Sequence, residues 1–400
     1  VRMNAKHYLA AVFAFLTVSA LIACPEATFN ASVRGLNLWW NIVFPALLPF
    51  FVAAELLTGL GAVHFIGVLL EPLMRPLFRV PGVGGFIMAA GLASGFPMGA
   101  MLTAEYRQKK ALSKEEGERL MAFANTAGPL FMTGAVATGM LGWPQIGMTI
   151  ILVHYLSSLS TGLLMRFYKP NAIPSSSVAS GEFILARAAR ALVEARRQDG
   201  RPFSKLLGDA VAKAVSSLLR VGGFIISFSV LIELLNTSGL AGWLASAISV
   251  EADIVKLIST GALELTNGCR QAAQSTLPMT GKIIAISAMI AWSGMSVHGQ
   301  AASFASKTDM SIRPFLFARG IHACLAAMYA ALLIKCNWIP TLPAAAIEYV
   351  SLGLGAKYLF SLANLAGILL LWAGAGFGLM LITTILRLKL LAFRVNQPRS

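Results

Sequence analysis

From Leu120 to Met165 the chain carries no Asp, Glu, Lys or Arg, and a soluble fold does not leave so long a stretch uncharged. A bilayer-crossing helix needs about 20 apolar residues. The run therefore holds two spans, dividing at Gly142-Trp143-Pro144. The rest of the chain agrees, since 57% of its 400 residues are hydrophobic and 12% are charged. Soluble domains need about 25% charged residues to cover their surface. The fold class expected is an all-α polytopic membrane protein.

The net charge of +15 does not point to nucleic acid. Most Lys and Arg fall in segments that one topology places on the same side of a bilayer, which is the positive-inside pattern. Anionic lipid beside those loops is a sufficient partner for the excess charge. Arg2 and Lys6 precede an apolar run, Tyr8 to Ala23, and Cys24-Pro25-Glu26 follows it. A cleaved signal would need a small-residue cleavage site there, so the run is read as a retained first span. Cys24, Cys269, Cys324 and Cys336 have neither CxxC pairing nor metal-ligand spacing and are read as packing residues. GxSxG, HExxH and P-loop patterns are absent. Neither an enzyme nor a cofactor is expected.

Reading spans and loops in order gives about eight transmembrane helices and two re-entrant helical hairpins, with both termini in the cytoplasm. Residues 1–80 hold spans Tyr8 to Ala23 and Leu36 to Leu60, the latter interrupted by Pro45 and Pro49, then an interfacial helix from Ala62 to Val80. Residues 81–165 begin with Pro81 to Ala104, long enough to cross but dense in Gly. The charged loop Glu105 to Arg119 follows it, so both ends lie on one side. It is read as a hairpin turning at Ser94-Gly95-Phe96-Pro97, where protein or a water-filled cavity must satisfy the backbone. Leu120 to Gly142 and Trp143 to Met165 go out and back.

Residues 166–205 form a cytoplasmic linker with Ser175-Ser176-Ser177 and an amphipathic helix, Glu182 to Gln198. Phe183, Ile184, Ala188 and Leu192 lay that helix on the lipid surface. Residues 206–250 carry the span Val211 to Leu240. Residues 251–335 hold a second hairpin, Glu251 to Gly281, tipped by Thr266-Asn267-Gly268, and spans Lys282 to Phe304 and Phe315 to Lys335. Residues 336–400 add the span Lys357 to Leu386 and a basic tail. Each half has a hairpin, then a span broken midway (Asn125 to Pro129, Ser293 to Gly299), then an unbroken span in which His154 and His322 hold matching places. The hairpins enter from opposite faces, so the halves are read as an inverted repeat.

Paired discontinuous helices are a sequence-level pointer to a transporter's binding site. An unwound segment frees N–H and C=O groups at bilayer depth, and half-helix N-termini favour anions while carbonyl ends favour cations. The breaks run from Gly95 to Gly99, Asn125 to Pro129, Thr266 to Gly268, and Ser293 to Gly299. Arg270 either offers its fork to a carboxylate or phosphate, turns outward, or pairs with Glu264. His298 either binds substrate or a proton, or packs. Arg319, His322 and His154 are read as braces between helices, and Glu55 and Glu233 as partners of cations or cavity-facing groups.

SGFPMGAMLTAEYRQKKALSKEEGERLMAFANTAGPLF (Ser94 to Phe131) resembles the signature of the YlbJ-type sporulation integral membrane proteins. GLNLWWNIVFPALLPFF (Gly35 to Phe51), EPLMRPLFRVPG (Glu71 to Gly82) and GMSVHGQ (Gly294 to Gln300) are similar to that family too. The wider group, with nucleoside-recognition or gate domains, is similar in architecture to concentrative nucleoside transporters. In those, two hairpins and two partly unwound helices form the substrate site. The resemblance implies substrate contacts at Gly95, Phe96, Pro97, Gly99, Asn125, Thr126, Thr266, Asn267, Ser293, Ser296 and His298. Gly128, Gly268, Gly294 and Arg270 join them from the breaks themselves. It further implies the outer forespore membrane and export of dipicolinic acid towards the forespore, with Phe96 or Trp292 stacking on the ring. Similar architectures self-associate, so a homo-oligomer is a further expectation. Competing readings are a nucleoside or nucleobase transporter and a non-transporting membrane scaffold. The coupling ion, proton or sodium, stays open; carboxylates are not clustered at the breaks.

Overall fold

A computed structural model describes residues 5–170, 183–336 and 338, whose regular elements are all helices, with no strand among them. Among the described residues, five helical stretches are long and apolar enough to cross a bilayer: Pro25–Gly59, Ile146–Met165, Phe203–Thr237, Met279–Ala305 and Arg313–Lys335. A bent pair, Ala62–Phe78 with Val83–Ser94 at 106°, makes a sixth if taken as one span. Three of the eight expected spans are not in that set. The first leaves only the short apolar stretch Ala14–Ala23 within helix α1 (Ala5–Ala23). Leu120 to Gly142 is divided by a non-helical stretch at residues 125–128. Lys357 to Leu386 lies outside the described residues, as does Ser175-Ser176-Ser177.

Helix α2 (Pro25–Leu38) begins well before the expected Leu36 and continues through a π-helical turn, Trp39–Val43, into α3 (Phe44–Gly59). Pro45 and Pro49 do not break it. Proline removes a hydrogen bond and crowds the preceding turn, and the wider π turn just before Pro45 takes up that misfit. The 35 residues from Pro25 to Gly59 would span about 52 Å at the helical rise, more than a bilayer's hydrocarbon core. Helix α4 (Ala62–Leu73) ends in a second π turn, Met74–Phe78, and packs against α5 (Val83–Ser94).

The segment Glu105 to Arg119 is not a loop. Helix α6 (Met98–Gln108) runs into it and α7 (Lys114–Ala124) starts within it, set by a capping box between Ser113 and Glu116. Three of its charged residues, Glu116, Glu118 and Arg119, are buried: Glu116 pairs with Arg75 at 3.1 Å, and Glu118 accepts from Tyr168 Oη and Ser311 N–H. A π-helical stretch, Phe131–Met140, leads to α8 (Ile146–Met165). Of the face expected for the linker helix α9 (Ile184–Asp199), Ala188 is fully buried and Ile184 and Leu192 are half-buried, while Phe183 stays exposed. Its partner is protein rather than lipid alone, since it packs on α4, with Arg187 on Glu71 and the Leu192 backbone against Gly61.

Helix α10 (Phe203–Thr237) runs for 35 residues and starts eight residues before the expected Val211. It pairs with α2 and α3, where Trp39 packs on Gly222 and donates its indole N–H to Leu218 O at 3.0 Å. Helices α11 (Leu240–Ile248), α12 (Ala252–Leu263) and α13 (Leu265–Gln274) follow. Then come α14 (Met279–Trp292), α15 (Gly294–Ala305) and α16 (Arg313–Lys335). The main apolar core lies where α8, α14 and α16 meet the π stretch.

Candidate functional site

The turns of two helix–turn–helix units line one cavity. In the first, α5 turns at Gly95 (φ 76°) into α6, and the folded-back arms bring Gly91 close to Gly99. In the second, α12 turns at Glu264 into α13, bringing Gly261 against Gly268. The second turn falls two residues earlier than expected, and Thr266-Asn267-Gly268 forms the first turn of α13.

Each unit packs on a broken helix, backbone against backbone. A Cβ at Gly91 or Gly99 would collide with Ala124 O at the end of α7. One at Gly95 would sit 2.6 Å from Gly128 N, and one at Gly294 would sit 2.8 Å from Leu265 N. The break between α14 and α15 is confined to Ser293 (φ 71°) and Gly294 (φ 74°). Met295 to Gly299, expected to be unwound, is helical.

Between the two turns lies an inner cavity of about 80 Å³, lined by Gly95, Phe96, Gly128, Glu264, Thr266 and Ser296 among others. It shares Ser94, Phe96, Val221 and Gln300 with an adjoining cavity of about 380 Å³ that also reaches Pro97, Lys213 and Arg220. Pockets for drug-sized ligands run from about 300 to 1,000 Å³, so the pair has room for a small molecule where the inner cavity alone does not. Lys213 is engaged by Glu55 at 2.7 Å. Arg220, an exposed residue of α10, donates only to Ser217 Oγ at 3.3 Å and has no carboxylate partner among the described residues. A lone arginine within an apolar helix is costly and points to function. That signal stood in the sequence at Arg220, inside the expected span Val211 to Leu240, and was missed.

The other expected contacts lie elsewhere. Asn125 is fully buried, accepting from Ala100 N–H at 3.3 Å, and Thr126 donates to Gly91 O; neither lines the cavity. Gly99 and Gly268 serve close packing. The Ser293 hydroxyl donates to Trp292 O. His298 donates Nε2–H to the same carbonyl at 2.8 Å and lies edge-on to Trp292 and Phe315. Trp292 itself bonds to Ala262 O, away from the cavity. Asn267 and Arg270 line a separate polar cavity of about 480 Å³ with Arg34 and Glu233. Arg270 reaches Arg34 O at 3.5 Å and does not pair with Glu264. Glu233 pairs with Arg34 at 2.6 Å.

The brace residues converge at the centre. His154 Nε2 accepts the Ala127 N–H at 3.1 Å, and His322 donates to His154 O at 3.0 Å, their rings 4.8 Å apart. Arg319, with no exposed surface, donates to Ala122 O (2.5 Å), Asn125 O (3.1 Å) and Ala291 O (3.4 Å). One guanidinium thus sits at the carbonyl ends of both α7 and α14, where the helix dipoles favour a cation.

Comparison with known proteins gives two results. A family model described as nucleoside recognition (Gate) matches residues 41–144. The "Sporulation integral membrane protein YlbJ" of Bacillus subtilis (strain 168) is 43% identical over 345 residues, covering 82% of either chain.

Proposed function

The chain belongs to the family of YlbJ-type sporulation integral membrane proteins, and on that premise we propose that it carries a small organic anion across a bilayer. Dipicolinate moving from mother cell to forespore is the substrate that fits the family's context. The observation that carries the proposal is the pair of adjoining cavities, the inner one between the two turns, which share Phe96, while the outer one also has Arg220 in its lining. A planar aromatic dianion asks for that pairing, a face to stack on and a planar fork to bind its carboxylates. Arg220, rather than Arg270, takes the anion-binding role in this reading.

The helix–turn–helix units are then two re-entrant hairpins of an inverted repeat. Their matched glycine contacts and the paired His154 and His322 support that symmetry. About eight spans, cytoplasmic termini, a place in the outer forespore membrane and self-association complete the proposal. The nucleoside-recognition match over residues 41–144 favours a second reading, in which a nucleoside occupies the same cavity.

The test is flux into proteoliposomes holding the full-length protein, with radiolabelled dipicolinate and uridine offered separately. Dipicolinate flux whose KM rises at least about tenfold in Arg220→Gln, the loss of one charge-assisted contact, supports the anion reading. Uridine flux indifferent to that change moves the substrate to the nucleoside class. Flux of neither returns the scaffold reading.

A further inference from the structure

Glu264 was not among the expected contacts, yet it occupies the position where an anionic substrate was expected to sit. It is the N-cap of α13, and its Oε2 accepts the Asn267 N–H at 2.7 Å and the Asn267 side-chain amide at 3.1 Å. It lines the inner cavity beside Thr266 while being only 4% exposed. Among the described residues no Lys, Arg or His nitrogen lies close enough to form an ion pair with it.

The titratable groups on the surrounding elements are engaged elsewhere or uncharged. On α13, Arg270 turns to Arg34 O and Cys269 is a buried thiol. On α12, Lys256 pairs with Asp253 at 3.6 Å. On α14, Lys282 bonds to Ala273 O, and on α15 His298 bonds to Trp292 O. On α10, Lys213 holds Glu55 of α3 and Glu233 holds Arg34, while Arg220 bonds to Ser217 in the adjoining cavity. Beyond them, Arg319 and His154 are committed to the breaks.

A buried carboxylate without a counter-charge is costly, and an anion brought beside it adds like-charge repulsion. Both costs vanish when the carboxylate takes up a proton. We propose that Glu264 is the coupling group of this transporter, binding one proton as the substrate anion enters and releasing it on the other side. In the empty cavity the carboxylate caps α13. In the loaded one, a neutral carboxyl leaves the N-terminal N–H groups of α13 to the substrate's carboxylate. The balance is one proton per dianion, added at a Glu264 oxygen from the compartment that supplies the substrate, so each cycle moves one net negative charge. This inference rests on the anion reading of the cavity.

Two measurements on the full-length protein in proteoliposomes test it. The first needs no transport: an apolar carbodiimide, which adds to protonated carboxyls, is applied across a range of pH and its adduct at Glu264 read by peptide mass. Labelling should be strong near pH 5 and at least about tenfold weaker near pH 8, as expected for a protonatable buried carboxyl. Equal labelling across that range overturns the proposal. The second is the pH profile of dipicolinate flux, which should change about tenfold over the same range and be flat in Glu264→Gln. A Glu264→Gln protein that keeps the wild-type profile also overturns it, and a variant that does not fold leaves the decision to the wild-type labelling. If dipicolinate does not move while labelling at Glu264 still follows pH, the anion reading fails and the proton site stands.

Discussion

Replacing Arg319 by Met tests whether one side chain holds the two broken helices together. The substitution keeps much of the aliphatic volume and removes every donor. Ala122 O, Asn125 O and Ala291 O then lose the guanidinium that now reaches them. A buried acceptor left without a donor costs about 1–3 kcal/mol, so three sum to about 3–9. Relief from burying a charge offsets part of that, leaving a net loss of at least about 1.5–3 kcal/mol, the size of one hydrogen bond to a charged group. The cation over the Phe315 ring, 5.2 Å from its centroid, adds to the loss. Arg319→Lys should fall between wild type and Arg319→Met, because one ammonium cannot span carbonyls on two helices as a planar fork does. The assay is unfolding in a denaturing-detergent titration followed by tryptophan fluorescence, with Trp292 next to the affected carbonyl. An Arg319→Met protein within about 0.5 kcal/mol of wild type, the range of a neutral surface change, would refute the bracing role.

Two further outcomes follow from the packing and the surface charges. Gly91→Ala should cost about 1–3 kcal/mol by overpacking against Ala124 O. Gly223→Ala, where nothing lies within 4 Å of the new Cβ, should be neutral or stabilise by up to about 1 kcal/mol; thermal stability in mild detergent separates them. Arg107 grips Asp309 through two bonds of 2.8 and 2.9 Å, and that hydrogen bonding holds the Asp309 carboxyl below its usual range. A depressed carboxylate contributes above its unfolded value, near about 4, and loses that contribution as pH falls through the folded one. Asp309→Asn should therefore cost up to about 1 kcal/mol at neutral pH, the size of an exposed pair, and clearly less near pH 3. An equal cost at both, by the same unfolding titration, would contradict the linkage.

The breaks were legible in the sequence because their causes are local. Glycine at Gly95 and Gly294 and proline at Pro97 and Pro129 announce where a helix cannot run on, and the matching places of His154 and His322 could be counted along the chain. The second turn was misplaced for an equally local reason. Asn267-Gly268 reads as turn chemistry, whereas glutamate is a rare cap, so Glu264 gave no signal until its carboxylate was found on the Asn267 N–H. What faces the cavity was legible only in part. Arg220 and Val221 reach it because α10 lies along α3, a matter of helix rotation that no short pattern encodes. The same holds for Arg270, whose side was open until the neighbouring Arg34 backbone was in place.

The glycine seams bear on how such a molecule moves. Where Gly91 and Gly99 meet Ala124, and Gly294 meets Leu265, the touching surfaces are main chain. Side-chain interfaces yield by small rotamer changes; a seam of main chain has none to make, so it holds or parts as a whole. Each turn and its broken helix therefore travel together. In the proposed transport cycle, the displacement that opens the cavity to a second side would be taken up at its side-chain wall, where Phe51, Val221 and Phe224 line the space with Phe96.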